Sequence, residues 1–350
     1  MRVLTVVGNR PQFVKAAAVS RPLRERFSET LVHTGQHHDD ELSTVFVEEL
    51  GIPRPEIELQ IHGGSNTDQT ARMLTALEPI VAERAPDVVL VYGDTNTTLA
   101  GGLVAAQAGV PVAHVEAGMR SFDRTMPEEL NRVLVDHLAH LLLCPSETAI
   151  ANLRAERAAG KVDLVGDVMV DVALAVQPRA RERDAGAPEG PFLLATAHRA
   201  GNVDDPERLR RLVDLLASMP WPVVLPLHPR TRARLEGAGL LDALGAAVDL
   251  RPPLGYLDFT ALLLRARAVL TDSGGVQKEA YLAGVQCVTL RDTTEWVETL
   301  NTGWNVLVDL DADAAQRALE TPPPQERPQL YGDGRAGEKV VAAIEAFAGG

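Results

Sequence analysis

AVLTDSGGVQKE, residues 268–279, is the stretch from which the fold can be worked out. It reads as an apolar strand that stops at SGG and continues as a helix. A helix that begins at glycines presents backbone N–H groups with no Cβ in front of them, and its dipole favours an anion. The pattern predicts diphosphate binding at Ser273, Gly274 and Gly275 and ribose binding at Glu279. A plain tight turn with an exposed glutamate is the alternative.

Short apolar runs alternate with helical patterns over the rest of the chain. The runs that read as strands are 3–7, 30–34, 88–92, 112–115, 141–144, 163–165, 192–196, 223–227, 247–250, 268–271, 287–290 and 305–308. Continuously apolar strands separated by helices are typical of parallel sheets buried on both faces. These strands are too many for one comfortable open sheet, so we expect an α/β chain with two doubly wound, Rossmann-like domains.

Two polar segments rich in proline mark breaks in this pattern, at residues 177–191 and 321–327. We expect an N-terminal domain over residues 1–168, a C-terminal domain over 169–335, and a last helix, 336–350, that packs back across the domain junction. In open α/β sheets, ligands bind beyond the carboxyl ends of the strands. We therefore expect a cleft between the domains, lined by the polar residues that follow strands.

Composition limits the classes of partner. The chain has 34 basic and 48 acidic residues and a net charge of −14, which argues against nucleic acid or an anionic membrane as the main partner. A phosphorylated small ligand remains compatible, because it experiences only the local field of its site. Cys144 and Cys287 lie in apolar runs, which favours buried thiols over a disulfide. With no signal peptide or membrane-length apolar stretch, we expect a cytoplasmic protein.

Charged side chains follow several of the predicted strands. Arg10 and Lys15 come after the first strand, Asp94 after the run 88–92, Glu116 after 112–115, and His198 after 192–196. Each has a structural alternative: Asp94 could cap a helix, and the two cations could lie on a solvated helix face. Glu116 is harder to explain structurally, because an acid between an apolar strand and Ala-Gly is only partly solvated.

Glu128 follows a proline at the start of a predicted helix, where the helix dipole alone could account for an acid. If it faces the same sheet edge as the other candidates, three carboxylates and an imidazole lie beside cations and an anion-binding helix. That combination suggests proton transfer on a sugar attached to a nucleotide.

Dinucleotide binding and metal dependence each have characteristic sequence motifs. The chain has no dinucleotide fingerprint, Walker A sequence or HExxH motif. The segment VHTGQHHDD could bind a metal through His33, His37, His38, Asp39 and Asp40, but its mixed spacing favours a polar active-site loop.

Nine motifs together resemble the non-hydrolysing UDP-N-acetylglucosamine 2-epimerases, over essentially the whole chain. They are GNRPQFVK (8–15), TGQHHD (34–39), VLVYGDTNTTLA (89–100), HVEAGMRSFD (114–123), PEELNR (127–132), AHR (197–199), TDSGGVQKEA (271–280), LRDTTEW (290–296) and YGDG (331–334).

The resemblance implies a GT-B-type fold, a homodimer, and catalysis without a redox cofactor or metal. It implies acid/base roles for Asp94, Glu116, Glu128 and His198, and phosphate or sugar binding by Arg10, Lys15 and Arg132. It also implies UDP binding by Ser273, Gly274, Gly275 and Glu279, in agreement with the interpretation of the residues themselves.

The chain departs from the family pattern at four places. GTRPE becomes GNRPQ, with Asn9 and Gln12; HRxE ends in Gly201; TTERPE loses its arginine at Trp296; and QHREM becomes QHHDD. The RPQF, RSFD and TEW forms resemble a sister group that epimerises UDP-2,3-diacetamido-glucuronate. The substrate alternatives are therefore UDP-N-acetylglucosamine and this diacetamido-uronate. A GT-B glycosyltransferase and a non-catalytic UDP-sugar-binding protein are alternatives of another class.

Overall fold

A computed structural model describes residues 1–36, 51 and 54–349 of the chain, which divides into two compact units. Unit 1 comprises residues 1–174 and 329–350, and unit 2 comprises residues 175–328. The sequence suggested boundaries after residues 168 and 335. The first of these falls at the start of a continuous helix, Val168–Arg181, and the division comes inside that helix.

Unit 1 contains a parallel sheet of seven strands in the order β3-β2-β1-β4-β5-β6-β7. The strands are β1 (Arg2–Val7), β2 (Ser28–His33), β3 (Ile57–Glu58), β4 (Val88–Tyr92), β5 (Val112–Val115), β6 (Leu141–Cys144) and β7 (Lys161–Leu164). The helices are α1 (Arg10–Arg24), α2 (Asn66–Arg84), α3 (Asn96–Gln107), α4 (Pro127–Leu138), α5 (Glu147–Glu156), the first half of α6 (Val168–Arg181), and α15 (Ala336–Ala348).

Unit 2 contains a second parallel sheet, of six strands, in the order β10-β9-β8-β11-β12-β13. The strands are β8 (Leu193–Thr196), β9 (Val223–Pro226), β10 (Asp249–Arg251), β11 (Ala268–Thr271), β12 (Gln286–Thr289) and β13 (Asn305–Leu307). Its helices are α7 (Ala200–Val203), α8 (Pro206–Ala217), α9 (Pro229–Gly237), α10 (Leu241–Ala247), α11 (Tyr256–Leu263), α12 (Gly274–Ala283), α13 (Val297–Asn301) and α14 (Ala312–Glu320).

All the predicted strands are present, and the prediction of two parallel α/β sheets is confirmed. Strand β3 was not predicted, because a two-residue edge strand leaves no apolar run in the sequence. The central strands β4, β5, β6, β11 and β12 are buried along their whole length, as expected when helices cover both faces of a sheet. In each sheet the strand order reverses beside its first strand, β1 or β8, which is where ligands bind in folds of this kind.

The C-terminal helix α15 packs within unit 1. Val340, Val341 and Ile344 belong to the same hydrophobic core as the strands of the first sheet. A Cβ on Gly337 would overlap the backbone of α1, so glycine lets the two helices meet closely. The Asp171 carboxylate accepts hydrogen bonds from the first N–H groups of α15, which fixes where the helix starts.

Both cysteines are buried free thiols, as predicted. Burial is the largest influence on each and raises the pKa of Cys144 and of Cys287 to about 12. Among the helices that the structure describes, none combines the length and the apolar character needed to cross a membrane.

Candidate active site

Gln12 holds together the first two loops at the carboxyl edge of the unit 1 sheet. Its side chain is buried in the first turn of α1, where Asn9 caps the helix by accepting from the Gln12 N–H. The Gln12 Oε1 accepts from the Gly8 N–H at 2.7 Å. The Gln12 Nε2 donates to the Tyr92 carbonyl at 2.7 Å and contacts the hydroxyls of the β4–α3 turn. The glutamine that departs from the family motif therefore joins β1 to β4.

Lys15 and Glu116 meet at this edge. The Lys15 ammonium, on the second turn of α1, forms an ion pair with the Glu116 carboxylate, and both side chains are largely buried. Glu116 follows β5 with a backbone φ of 72°, in the left-handed region that non-glycine residues seldom adopt. Gly93 has a φ of 63°, and a Cβ there would lie 3.1 Å from the Lys15 Nζ and 3.4 Å from the Glu116 Oε2. The absence of a side chain at Gly93 leaves room for the ion pair.

Asp94, the next residue, forms an ion pair with Arg132 of α4. Arg132 is buried, and its second terminal nitrogen lies 3.0 Å from the Glu129 carboxylate. Glu129 is itself buried and accepts hydrogen bonds from the backbone N–H groups of Ser121 and Phe122. Two predicted site residues, Asp94 and Arg132, are therefore in direct contact, and Glu129 is an additional member that the sequence interpretation missed.

Glu128 and Arg10 lie in the first turns of α4 and α1. Glu128 is exposed in the first turn of α4, and its side chain makes no hydrogen bond to the residues that the structure describes. Arg10 is the first residue of α1 and is half-buried. The Glu128 side chain is therefore not part of the ion pairs of Lys15 and Arg132.

A buried network that the sequence interpretation did not identify lies beneath the Glu116 loop. His114, on β5, bonds through Nδ1 to Asp136 and through Nε2 to the Gly93 carbonyl, each at 2.7 Å. Asp136 also accepts from the Gly118 N–H at 3.0 Å and from Arg120 at 2.7 Å, and Arg120 pairs with Glu156.

The charges in this network support one another. Burial acts to raise the pKa of Asp136, but the hydrogen bonds and charges of His114 and Arg120 outweigh burial and lower it. Burial likewise acts to lower the pKa of Arg120, but hydrogen bonds and charges from Glu156 and Asp136 raise it. Asp136 and Arg120 are therefore held in their charged forms.

In unit 2, Asp272 organises the ends of the two central strands. It is fully buried after β11 and accepts from the N–H groups of His198 and Arg199 at 3.0–3.1 Å and from the Asn202 amide at 3.2 Å. The His198 ring is 41% exposed, and its Nδ1 lies 3.7 Å from the Asp272 carboxylate. The ring also stacks obliquely on His228, with 5.6 Å between centroids. Asp272 thus fixes the loop that carries His198 and leaves the ring accessible.

The helix N-terminus predicted at SGG is present. Ser273 is the N-cap of α12, and Gly274 and Gly275 are its first two residues. The Ser273 side chain does not cap the helix. A Cβ on Gly274 would overlap the Glu295 carboxylate, so this glycine is required for close approach. Glu279 lies in the second turn of the same helix and is half-buried. The helix therefore begins with two glycines and without a side-chain cap.

The motif that departs from the family at Trp296 packs beside this helix. The buried Lys278 places its Nζ 4.2 Å above the centroid of the Trp296 ring, a cation–π contact. Glu295 forms ion pairs with Arg291 at 3.0 Å and with Arg199 at 3.7 Å. The N-terminal part of α12 thus lies beside a cation–π pair and a carboxylate held by two arginines.

A metal site finds no support in the part of the chain that the structure describes. Within residues 1–36, 51 and 54–349, no three His, Cys, Asp or Glu side chains are grouped as metal ligands. His33 packs edge-on against Phe13. The other members of the metal hypothesis, at positions 37–40, lie outside the described residues.

Comparison with known proteins agrees with the resemblance found in the sequence. Residues 21–345 match the family model described as UDP-N-acetylglucosamine 2-epimerase. The chain is 48% identical over 353 residues to the UDP-2,3-diacetamido-2,3-dideoxy-D-glucuronate 2-epimerase of Pseudomonas aeruginosa, and the match covers 97% of this chain and 98% of that protein.

Two solved structures share the fold of this chain. The crystal structure of Methanocaldococcus jannaschii UDP-GlcNAc 2-epimerase in complex with UDP-GlcNAc and UDP superposes with a TM-score of 0.92 at 38% identity, covering 99% of this chain and 100% of that one. The calicheamicin glycosyltransferase CalG4 superposes with a TM-score of 0.53 at 17% identity, covering 100% and 95%, which is a likeness of fold alone. The fold is of the GT-B type, as the resemblance implied.

Proposed function

This chain belongs to the UDP-N-acetylglucosamine 2-epimerase family and is an isomerase, and we propose that it interconverts UDP-N-acetylglucosamine and UDP-N-acetylmannosamine without a cofactor. The observation that carries this proposal is the pair of carboxylates at the ends of neighbouring strands β4 and β5. Asp94 pairs with Arg132 and Glu116 with Lys15, which gives proton-transfer groups and positive charge in one place.

The chemistry requires an indirect route, because the C2 proton of the sugar is not adjacent to a carbonyl group. We propose that a base removes this proton while the C1–O bond to the diphosphate breaks. The C–H electron pair forms the C1=C2 double bond of a 2-acetamidoglucal, and the C1–O pair leaves with UDP. UDP then adds back to C1 while a proton is delivered to the opposite face of C2.

Each step can be assigned to a class of residue in this chain. Asp94, Glu116, Glu128 and His198 are proposed to carry the protons. Arg10, Lys15 and Arg132 are proposed to stabilise the charge that develops on the departing diphosphate. Ser273, Gly274 and Gly275 are proposed to bind the diphosphate, and Glu279 the ribose, because α12 begins with two glycines and the Ser273 side chain does not cap it.

Proton NMR in D2O tests this proposal. Purified protein incubated with UDP-N-acetylglucosamine should produce a UDP-N-acetylmannosamine signal, with deuterium appearing at C2. Free UDP with a reducing sugar would instead indicate a hydrolysing enzyme, and sugar transfer to an added acceptor would indicate a glycosyltransferase. Binding of UDP-sugars with no turnover would indicate a sensor.

The roles of the two carboxylates can be tested separately from binding. Asp94→Asn and Glu116→Gln should each abolish turnover while UDP still binds, since the proposed UDP site is on unit 2. UDP affinity is measured by calorimetry and turnover by the NMR assay. Full activity in either variant would refute the role assigned to that carboxylate.

A second substrate has specific support. The chain is 48% identical to a relative whose name gives UDP-2,3-diacetamido-2,3-dideoxy-D-glucuronate as its substrate, and it carries Trp296 where the family pattern has arginine. If UDP-N-acetylglucosamine is unchanged in the NMR assay and the diacetamido-uronate is epimerised with deuterium at C2, the second substrate is correct.

The homodimer implied by the resemblance stays a prediction. Phe122, Leu130 and Leu134 are large apolar side chains exposed on unit 1, between 42% and 74% accessible, which suits an interface between copies. Sedimentation equilibrium should give twice the mass of one chain.

A further inference from the structure

Glu116 adopts a backbone conformation that needs support from its surroundings. Its φ of 72° is disfavoured for a residue with a Cβ, and such a residue keeps this conformation only when its neighbours fix it. The N–H groups of Glu116 and Ala117 both donate to the Leu143 carbonyl, at 3.0 and 3.2 Å. Those bonds restrain the turn at positions 116 and 117, and the residues before and after these positions need a second restraint.

Asp136 provides that second restraint from both sides of the turn. It binds the ring of His114, two residues before Glu116, and the N–H of Gly118, two residues after it. His114, Asp136 and Arg120 are almost completely buried, so these bonds are shielded from water. The residues two positions before and two positions after Glu116 are thus tied to one carboxylate, His114 through its ring and Gly118 through its backbone N–H.

The same network reaches Asp94. The His114 Nε2 binds the carbonyl of Gly93, whose next residue is Asp94. Asp136 also lies on α4, four residues after Arg132, which pairs with Asp94. The loop that carries Asp94 and the helix that carries its cation are therefore linked through Asp136.

Opposite charges stabilise the network. The Asp136 carboxylate accepts from Arg120 and bonds to Nδ1 of the His114 ring, and Arg120 also pairs with Glu156. The arginine between two carboxylates offsets the cost of burying Asp136.

We propose that Asp136 and His114 are positioning residues, which hold Glu116 and Asp94 in the orientation that proton transfer requires. This inference rests on the proposed function, because it presupposes that these two carboxylates carry protons. Neither Asp136 nor His114 is assigned contact with the substrate. They act through the backbone on either side of the residues that do.

Asp136→Asn is the first test, because it keeps the shape of the side chain and removes its charge. Displacement of a reacting group by about 1 Å costs on the order of 10²-fold in rate, so kcat for epimerisation should fall by about that factor. KM and the affinity for UDP should stay at their wild-type values, because the proposed UDP site lies on unit 2.

Glu29→Gln is the matched control. Glu29 is also a buried carboxylate of unit 1 with three donors, Thr5, Ser20 and Arg24, at 2.7–3.0 Å. It pairs with Val3 at the opposite end of the sheet from Glu116. The control should lose thermal stability and keep the wild-type kcat per folded molecule.

If Asp136→Asn does not fold, two variants of His114 test the positioning role instead. His114→Gln retains an amide near the position of Nε2 and the contact with Gly93, whereas His114→Asn retains one near Nδ1 and the contact with Asp136. Both should lower kcat, since each breaks one half of the link. Folded variants with wild-type kcat would overturn the positioning role.

The controls separate the two proposals. If the wild-type protein is active and Asp136→Asn loses no more kcat than Glu29→Gln, the positioning role is wrong and the proposed function stands. If the wild-type protein exchanges no C2 hydrogen in any UDP-sugar tested, the proposed function is overturned, and the positioning role with it.

Discussion

Replacement of Gln12 by methionine tests whether one buried amide holds the first two loops of the site. Methionine has nearly the same volume, so the substitution removes hydrogen bonds without opening a large cavity. The Gly8 N–H would lose its 2.7 Å partner. The Tyr92 carbonyl would keep the bond from the Thr98 hydroxyl, also 2.7 Å long, and Thr98 still contacts Thr95. The loss therefore consists of one orphaned N–H and three hydrogen bonds whose other partners can rearrange.

The magnitude follows from that inventory. A buried donor without a partner costs about 1–3 kcal/mol, and a hydrogen bond whose partner finds a substitute contributes about 0.5–1.5 kcal/mol at most. Since most of the three other bonds are replaced, the net loss is the orphaned N–H plus about one bond, and Gln12→Met should lower the free energy of unfolding by roughly 2–4 kcal/mol. For a unit of about 200 residues, this corresponds to a fall in Tm of about 5–15 °C.

Two spectroscopic signals make the assay specific. Trp221, Trp296 and Trp304 are all in unit 2, so tryptophan fluorescence reports on unit 2, whereas far-UV circular dichroism reports on both units. The dichroism transition should move to lower temperature in Gln12→Met. Gln107→Met, at an exposed position on the same unit, is the control and should leave it unchanged. A Gln12→Met variant with the thermal transition of Gln107→Met would refute the role assigned to Gln12.

Because burial holds the pKa of Cys144 and Cys287 at about 12, thiol reagents should modify them only after unfolding; rapid modification of the native protein would contradict their burial. Burial acts to raise the pKa of Asp136, but the hydrogen-bonded network outweighs it and lowers that pKa. The carboxylate therefore contributes its full stabilisation above the pKa of an unfolded aspartate, about 4, and loses it as the pH falls through the lower pKa of the folded state. The difference in unfolding free energy between wild type and Asp136→Asn should shrink below about pH 4, and a difference independent of pH would be the contrary result. Gly274→Ala should weaken UDP binding about tenfold or more, because overlap of the new Cβ with the Glu295 carboxylate costs roughly 1–3 kcal/mol. Gly237→Ala is the control, because its Cβ would meet nothing within 4 Å, and it should bind UDP normally in the same titration.

The strands were predictable because burial on both faces leaves a continuous apolar run. The run at 268–271 and the glycines after it located both β11 and the start of α12 correctly. The position of the division between the units was harder to predict from the sequence. Helix α6 continues through it, so the polar segment 177–191 signalled a nearby break but not its position.

The candidate site was predictable only in part, because the buried residues that hold its side chains in place look purely structural in the sequence. The acids after β4 and β5 could be predicted as candidates from their position at strand ends. His114 was not, although a histidine inside the otherwise apolar run 112–115 is a signal that a buried polar partner exists. Glu128 and Glu129 could not be distinguished, because both occupy the first turn of α4 and tertiary packing decides which one is buried.

Glu116 shows most clearly why local rules fail at this site. A turn that requires a positive φ favours glycine, and a residue with a Cβ costs about 1–2 kcal/mol there. The chain nevertheless has glutamate, followed two residues later by Gly118, which also has a positive φ. A glycine at position 116 would remove the strain but also the carboxylate that meets Lys15. If Glu116 carries protons as proposed, the strain is retained because its carboxylate is needed, and the bonds that Asp136 and Leu143 make to the neighbouring residues offset it.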